Sequence, residues 1–283
     1  MKPPVFIIGP PRSGTKILRD TVSLLSSYQT KEHNLNYVWN RYYSLAHDEV
    51  SPDQYSTEDT EAIRRDFYDA FSRSSIPVEK NVPHSLRLPA VKKVFPNARF
   101  VFIVRDGRDS VVSIRDQWES PIEWNYFLSS KLLEIPVSDI LFYGSRQLKN
   151  YLKKLVTGEN SVDTWGPQTE ELTDRVANQP LLQVCIHQWT KCVRALLSGV
   201  ENVNDNKKYC IKYEELMQSP KQVLPQLSDF LNAKDELDSL FNFARRNYFT
   251  SSIGRWKEKL TDEEAADLEG ELEPLLVKLN YVE

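Results

Sequence analysis

Arg12, Ser13, Gly14, Thr15 and Lys16 stand in a row where an apolar run gives way to a helical pattern. Their types suit the holding of a phosphate-like anion. Arg12 and Lys16 bring fixed positive charge, and Ser13 and Thr15 bring hydroxyl donors. Upstream, Val5–Ile8 is a continuous apolar run, short enough for one buried parallel strand. Gly9, Pro10 and Pro11 end that strand in a turn. Downstream, Ile17, Leu18, Val22 and Leu25 have helical spacing. The reading is strand, small-residue loop, helix N-terminus. Unpaired backbone N–H groups and the positive end of the helix dipole favour an anion at that point.

The loop departs from the pattern that grips nucleoside triphosphates. G-x-x-x-x-G-K-[ST] wants lysine directly after the second glycine. Gly9 and Gly14 have that separation, but Thr15 follows and Lys16 comes one place late. One residue along a helix turns a side chain by about 100°. The site is therefore suited to a phosphate-like group held in a different way.

A second group of polar residues follows the apolar run Arg99–Val104. Arg105-Asp106-Gly107-Arg108-Asp109-Ser110 lies at its carboxyl end, where open parallel sheets bind ligands. Asp109 or Ser110 is expected to cap a helix carrying Val111, Val112, Ser113 and Ile114.

The elements that must position these groups are strands alternating with helices. Ile76–Lys80 and Lys208–Tyr213 complete a set of four strands. A helix is expected over 59–74, with Ala62, Ile63, Phe67, Ala70 and Phe71 on one face. Another begins at Pro83 and carries Leu86, Leu88, Val91, Val94 and Phe95. Ser219 and Pro220 start a helix with Val223, Leu224, Leu227, Phe230 and Leu231 on one face. Residues 181–198 and 235–247 are helices covering the sheet, and Thr261 with Glu264 forms a capping box for a last one. This order predicts an α/β fold, P-loop-like, in three layers with a central parallel sheet flanked by helices. One domain over 1–283 is expected, with a helical and loop insertion around 119–180. Within it Leu141–Leu155 reads as a solvent-faced helix and Thr157–Glu171 as a loop that helps define a substrate site.

The two polar groups together resemble a known family. PPRSGTK after a buried strand, with FPNARFVFIVRDGRDSVVS about ninety residues on, is similar to the sulfotransferases, which use 3′-phosphoadenosine 5′-phosphosulfate, PAPS. KNVPHSLRLPAVKKVFPNA is nearest to the tyrosylprotein and bacterial glycan or small-molecule branches. The resemblance implies that Arg12, Ser13, Gly14, Thr15 and Lys16 bind the 5′-phosphosulfate. It implies that Arg105 and Ser113 bind the 3′-phosphate, joined by Ser251, Ser252 and Arg255 from SSIGRWKEKL, and that Tyr213 packs on the adenine. It makes Lys80 and Arg12 the transition-state cations and Glu32, twenty residues beyond Arg12, the general base. His33 and His84 are rivals for that role. The base of the cytosolic branch, a histidine two residues after the strand-end lysine, is ruled out because Val82 stands there. The tyrosylprotein branch has an arginine where this chain has Gln117, and Arg115 is the substitute within reach. PAP is the implied product, and no metal is implied for the step.

Composition bounds the rest. The chain has 283 residues, 27% charged and 40% hydrophobic, with a net charge of −4. That balance suits a soluble globular protein and gives no general attraction to nucleic acid or an anionic membrane. The anion loop starts within ten residues of Met1 and no apolar run reaches spanning length, so a cytoplasmic location is expected. Three cysteines argue for a reducing compartment. Cys185, Trp189, Cys192 and Leu196 have helical spacing, so Cys185, His187 and Cys192 read as part of a buried stripe, not as metal ligands. Tyr28, Tyr37, Trp39, Tyr42, Tyr43 and Tyr55 crowd residues 28–58. Most suit an irregular aromatic cover, and some suit the wall of an acceptor pocket. The implied acceptor bears a hydroxyl, on a glycan, a small molecule, a lipid or a peptide tyrosine. Two other classes remain. One is a P-loop kinase using ATP and Mg²⁺, disfavoured by the displaced Lys16 and by Arg105 where a metal-binding Asp would stand. The other is a non-catalytic nucleotide-binding module.

Overall fold

A computed structural model describes residues 1–32, 34–42, 47–120 and 165–282. Val5–Ile8 (β1), Tyr28–Thr30 (β2), Ile76–Lys80 (β3), Arg99–Val104 (β4) and Lys208–Lys212 (β5) form one sheet in the order β2-β3-β1-β4-β5. Every pairing is parallel, with Val5 beside both Val78 and Arg99. The chain enters at the central strand, fills one side, then crosses to the other. The strand order reverses at β1/β4, and the crevice beyond the carboxyl ends of those strands is where such sheets hold ligands.

Both faces of the sheet are covered, which explains the unbroken apolar strands. Val5, Ile7, Val78, Val101, Ile103 and Ile211 face Thr15–Val22 (α1) and the helices Pro220–Phe230 and Leu237–Asn247. Phe6, Ile8, Phe100 and Phe102 face Thr57–Asp69, Leu88–Val94 and the end of Leu181–Glu201. A third apolar cluster joins Gly107–Glu119 (α2 here, after β4), Leu181–Glu201 (α3) and Asp262–Lys278 (α4) through Ile114, Trp189 and Leu272. The cysteine stripe is part of this packing, with Cys185, Trp189, Cys192 and Leu196 all buried on α3. The capping box at Thr261 and Glu264 forms as expected.

Several boundaries differ from expectation. β2 has no apolar run: YQT became a strand because it pairs with β3 at the sheet edge, while Tyr28 donates to the Leu231 carbonyl. The helix after β4 starts at Gly107, not after Asp109 or Ser110. Asp106 is its cap, accepting from the Arg108 N–H at 2.9 Å, so Asp109 falls within the first turn. Tyr213 opens the helix Tyr213–Gln218 instead of ending β5. The segment at Pro83 is a 3₁₀ turn, Val82–Ser85, before the helix Leu88–Val94. Much of the expected insertion, including Leu141–Leu155, lies outside the described residues, as does Tyr43 of the aromatic cover. From residue 165 a short loop leads into the helix Leu172–Asn178, which buries Leu172 against α3. No helix among the described residues is long and apolar enough to cross a membrane.

Candidate active site

The loop between β1 and α1 is held in a strained shape. Arg12 (φ +63°) and Gly14 (φ +90°) both lie in the left-handed region. For a non-glycine residue that costs roughly 1–3 kcal/mol, and such cost concentrates at functional sites. A side chain at Gly14 would collide with the Tyr213 ring, and one at Gly9 with the Ile103 carbonyl and the Ser13 hydroxyl. The Ser13 hydroxyl is buried and donates to the Pro10 carbonyl at 2.7 Å, so it shapes the loop instead of standing free as a donor. The first intrahelical bond of α1 runs from the Leu18 N–H to the Gly14 carbonyl at 3.1 Å. The N–H groups before it have no partner within the helix. Thr15 is buried at the first helical position and Lys16 is exposed beside it.

Arg12 reaches across to α2. It donates from Nε to Ser113 Oγ at 2.9 Å and from a terminal nitrogen to Gln117 Oε1 at 3.3 Å. The two polar groups, about a hundred residues apart in sequence, are thus one site. Gln117 was legible only as a missing arginine; the structure gives it a place against Arg12. Arg115 does not substitute for that arginine. It points to the other side of α2, to Glu264 at 2.8 Å and the Lys259 carbonyl at 2.9 Å, because two positions along a helix face different directions.

Arg105, at the end of β4, is 6% exposed. Its guanidinium lies 4.8 Å from the centre of the Tyr213 ring and donates to the Arg12 carbonyl at 3.4 Å and to the Ser252 carbonyl. Its Nε is buried with no partner. Tyr213 shares a hydrogen bond of 2.9 Å with the Ser252 hydroxyl. Ser251 is exposed beside it, and Arg255 extends to Asp116 at 3.3 Å. Arg12, Arg105 and Arg255 therefore converge. The Arg12 guanidinium is easier to deprotonate than usual, first through burial and then through repulsion by Arg105, with Arg255 adding to it and Asp116 opposing. Cations crowded this way, one with an orphaned buried N–H, fit a multiply charged anion.

Lys80 marks the other end. Burial, then repulsion by Arg19 and Lys16, brings its ammonium down to about 8. Arg19 is buried on α1, chelates Asp20 at 2.5 and 2.8 Å and donates to the Glu32 carbonyl at 2.5 Å. This fixes the backbone of Glu32 beside Arg19 on α1, with the Glu32 side chain exposed. His33 lies outside the described residues.

His84 is not poised to act as a base. It is fully buried, its Nε2 lies 3.1 Å from Glu79 Oε2, and its Nδ1 accepts from Arg87 Nε at 3.2 Å. Burial lowers its pKa despite Glu79. For Glu79 burial pushes upward, but the charges and hydrogen bonds of His84, Arg87 and Asn81 outweigh it and hold the carboxylate ionised. Trp39 and Asn81 complete this buried network behind β3. The aromatic cover is mostly interior: Trp39 and Tyr55 are core, and Tyr42 donates to Asp66 at 2.8 Å.

Comparison with known proteins agrees with this architecture. Residues 3–130 match the model of a sulfotransferase family. That range includes the anion loop, Lys80, Arg105 and Ser113. No curated protein matches the chain. Among solved structures, the sulfotransferase domain of the curacin biosynthetic pathway superposes with a TM-score of 0.53 at 17% identity, over 96% of this chain and 98% of that one. The sulfotransferase domain of the Synechococcus PCC 7002 olefin synthase gives 0.53 at 13%, over 94% and 93%. A sulfotransferase from Alicyclobacillus acidocaldarius gives 0.52 at 13%, over 99% and 95%. At such identities the likeness is one of fold.

Proposed function

We propose that this chain, whose residues 3–130 match a sulfotransferase family, moves the sulfuryl group of PAPS to a hydroxyl acceptor within one domain spanning 1–283. The observation that carries the residue assignment is the convergence of Arg12, Arg105 and Arg255, with the buried Arg105 Nε lacking a partner. One phosphate on the 3′ position of a ribose supplies the missing acceptor and relieves the mutual repulsion. Ser113, Ser251 and Ser252 add hydroxyl donors there, and the Tyr213 ring offers a face for adenine.

At the other end, the N–H groups of residues 13–16, with Thr15 and Lys16, hold the 5′-phosphosulfate. The acceptor oxygen forms a bond to sulfur as the bond from sulfur to the phosphate oxygen breaks. That electron pair leaves on the phosphate of PAP. Lys80 meets the charge building on the bridging and equatorial oxygens, in the manner of phosphoryl transfer; the Arg12 side chain, expected from the sequence to share that role, is turned to Ser113 and Gln117 and serves the 3′-phosphate end instead. Glu32 takes the acceptor's proton. Positioning and charge stabilisation supply most of the rate. The acceptor class is a hydroxyl on a glycan, a small molecule or a peptide tyrosine.

Calorimetric titration with PAP, AMP and ATP plus Mg²⁺ tests the nucleotide assignment. PAP is expected to bind on the order of 10²-fold more tightly than AMP, the contribution of charge-assisted bonds to one phosphate. Equal affinity for PAP and AMP overturns it, and a preference for ATP with Mg²⁺ points to a kinase. Sulfuryl transfer from PAPS across a panel of hydroxyl acceptors tests the reaction; nucleotide binding with no turnover on any acceptor points to a binding module.

A further inference from the structure

The segment that carries Ser252 and Arg255 has little local support ahead of its short helix: the Ile253 N–H donates to the Thr250 carbonyl at 2.9 Å. Residues 251–255 form turns ahead of a short helix at Trp256, with Gly254 in the left-handed region (φ +79°). The segment's backbone is also tied to Asp109, in the first turn of α2 and 2% exposed. Its Oδ2 accepts from the Gly254 N–H at 2.7 Å and its Oδ1 from the Trp256 N–H at 3.1 Å. The residue between those two amides is Arg255. The same carboxylate lies 3.7 Å from the Arg105 guanidinium, which donates to the Ser252 carbonyl. A buried acid inside a cluster of arginines opposes anion binding by its charge alone. Two backbone amides spanning a cationic side chain give it a different use.

We infer that Asp109 is a positioning residue for recognition of the 3′-phosphate: it clamps the backbone on both sides of Arg255 and so sets the reach of Arg255 and Ser252 over the nucleotide. The inference rests on the nucleotide assignment above. It acts through the loop and makes no contact with substrate. Its removal therefore weakens ligands with a 3′-phosphate and spares those without one. Charge-assisted bonds to two amides are worth about 10–100-fold in an equilibrium constant.

The test measures PAP and AMP affinity for the full chain, for Asp109→Asn and for Asp109→Glu, alone and in an Arg255→Ala background. Asn keeps one acceptor and turns a donor toward the second amide. PAP affinity is expected to fall about tenfold or more in Asp109→Asn, with AMP affinity unchanged and the loss clearly smaller once Arg255 is Ala, the remainder passing through Ser252. Asp109→Glu, which keeps both acceptors, should lose less than Asn. Equal losses for PAP and AMP, no loss, or full additivity with Arg255→Ala overturn the positioning role. A full chain that does not prefer PAP to AMP overturns the nucleotide assignment itself, and the inference with it. Amide exchange at Gly254 and Trp256 keeps the result readable if the variants bind poorly: faster exchange confined to that loop supports the clamp, and faster exchange throughout the chain marks a general loss of structure and overturns it.

Discussion

The two ends of the cleft are built by opposite means. The end proposed for the phosphosulfate is built on a single turn of chain, residues 12–16, set by two left-handed residues and closed by the Ser13–Pro10 hydrogen bond. The end proposed for the 3′-phosphate is assembled from β4, α2, the helix opening at Tyr213 and the loop before Trp256, joined by the contacts of Arg12, Arg105 and Asp109. A local turn is preorganised by its own backbone and tolerates change elsewhere. A site drawn from distant segments depends on the residues that clamp those segments, so its affinity is the easier of the two to remove without disturbing the fold.

Substitutions at the two ends should therefore differ in kind. The largest effect is expected for Lys80→Ala, with kcat lower by about 10³-fold and nucleotide affinity little changed, as for loss of a group that meets developing charge. Single-turnover transfer checks this; a change in KM alone would move Lys80 from catalysis to binding. Glu32→Gln should lower kcat by roughly 10²-fold while PAP still binds. Retained activity in Glu32→Gln with loss in a His33 variant would transfer the base to the neighbouring position. Arg105→Ala should weaken PAP by about 30–100-fold and leave AMP unchanged, and equal weakening of both would break the assignment of that end to the 3′-phosphate.

pH separates the ends in another way. Lys80 is cationic below its pKa of about 8 in the free protein. Its help is present below that value and lost above it, so kcat/KM should fall about tenfold per unit above pH 8. Bound nucleotide brings anionic charge that favours the ammonium, and the corresponding limb of kcat should lie at higher pH. Lys80→Arg should abolish the limb even if the rate is low. Smallest is Gln117→Ala, which removes one 3.3 Å bond at the rim and should cost a few-fold in PAP affinity; a loss as large as that of Arg105→Ala would place Gln117 in direct contact with the nucleotide.

The parts legible in the sequence were those with a short signal. Val5–Ile8, Ile76–Lys80 and Arg99–Val104 are strands at the expected bounds because burial on both faces demands an unbroken apolar run. β2 escaped notice because an edge strand of three residues, two of them polar, carries no such run. Asp106 was passed over as a cap because Asp109 and Ser110 are equally good by type, and only the path of the backbone chooses between them. Asp109 had no separate signal at all: its partners are two amide groups about 145 residues away, and backbone amides have no sequence identity. His84 looked available as a base until burial and two occupied ring nitrogens removed it.

By itself the sequence determined four of the five strands, the main helices between them, the anion loop and the residue types at both ends of the cleft, since periodicity and local turn chemistry act over a few residues. Only the folded chain decided which of those residues meet. The pairing of Arg12 with Ser113 and Gln117, the orphaned N–H of Arg105 and the grip of Asp109 on the loop around Arg255 all arise where parallel strands bring separate segments to one edge of the sheet. Contacts of that kind depend on distances in space that no spacing along the chain encodes.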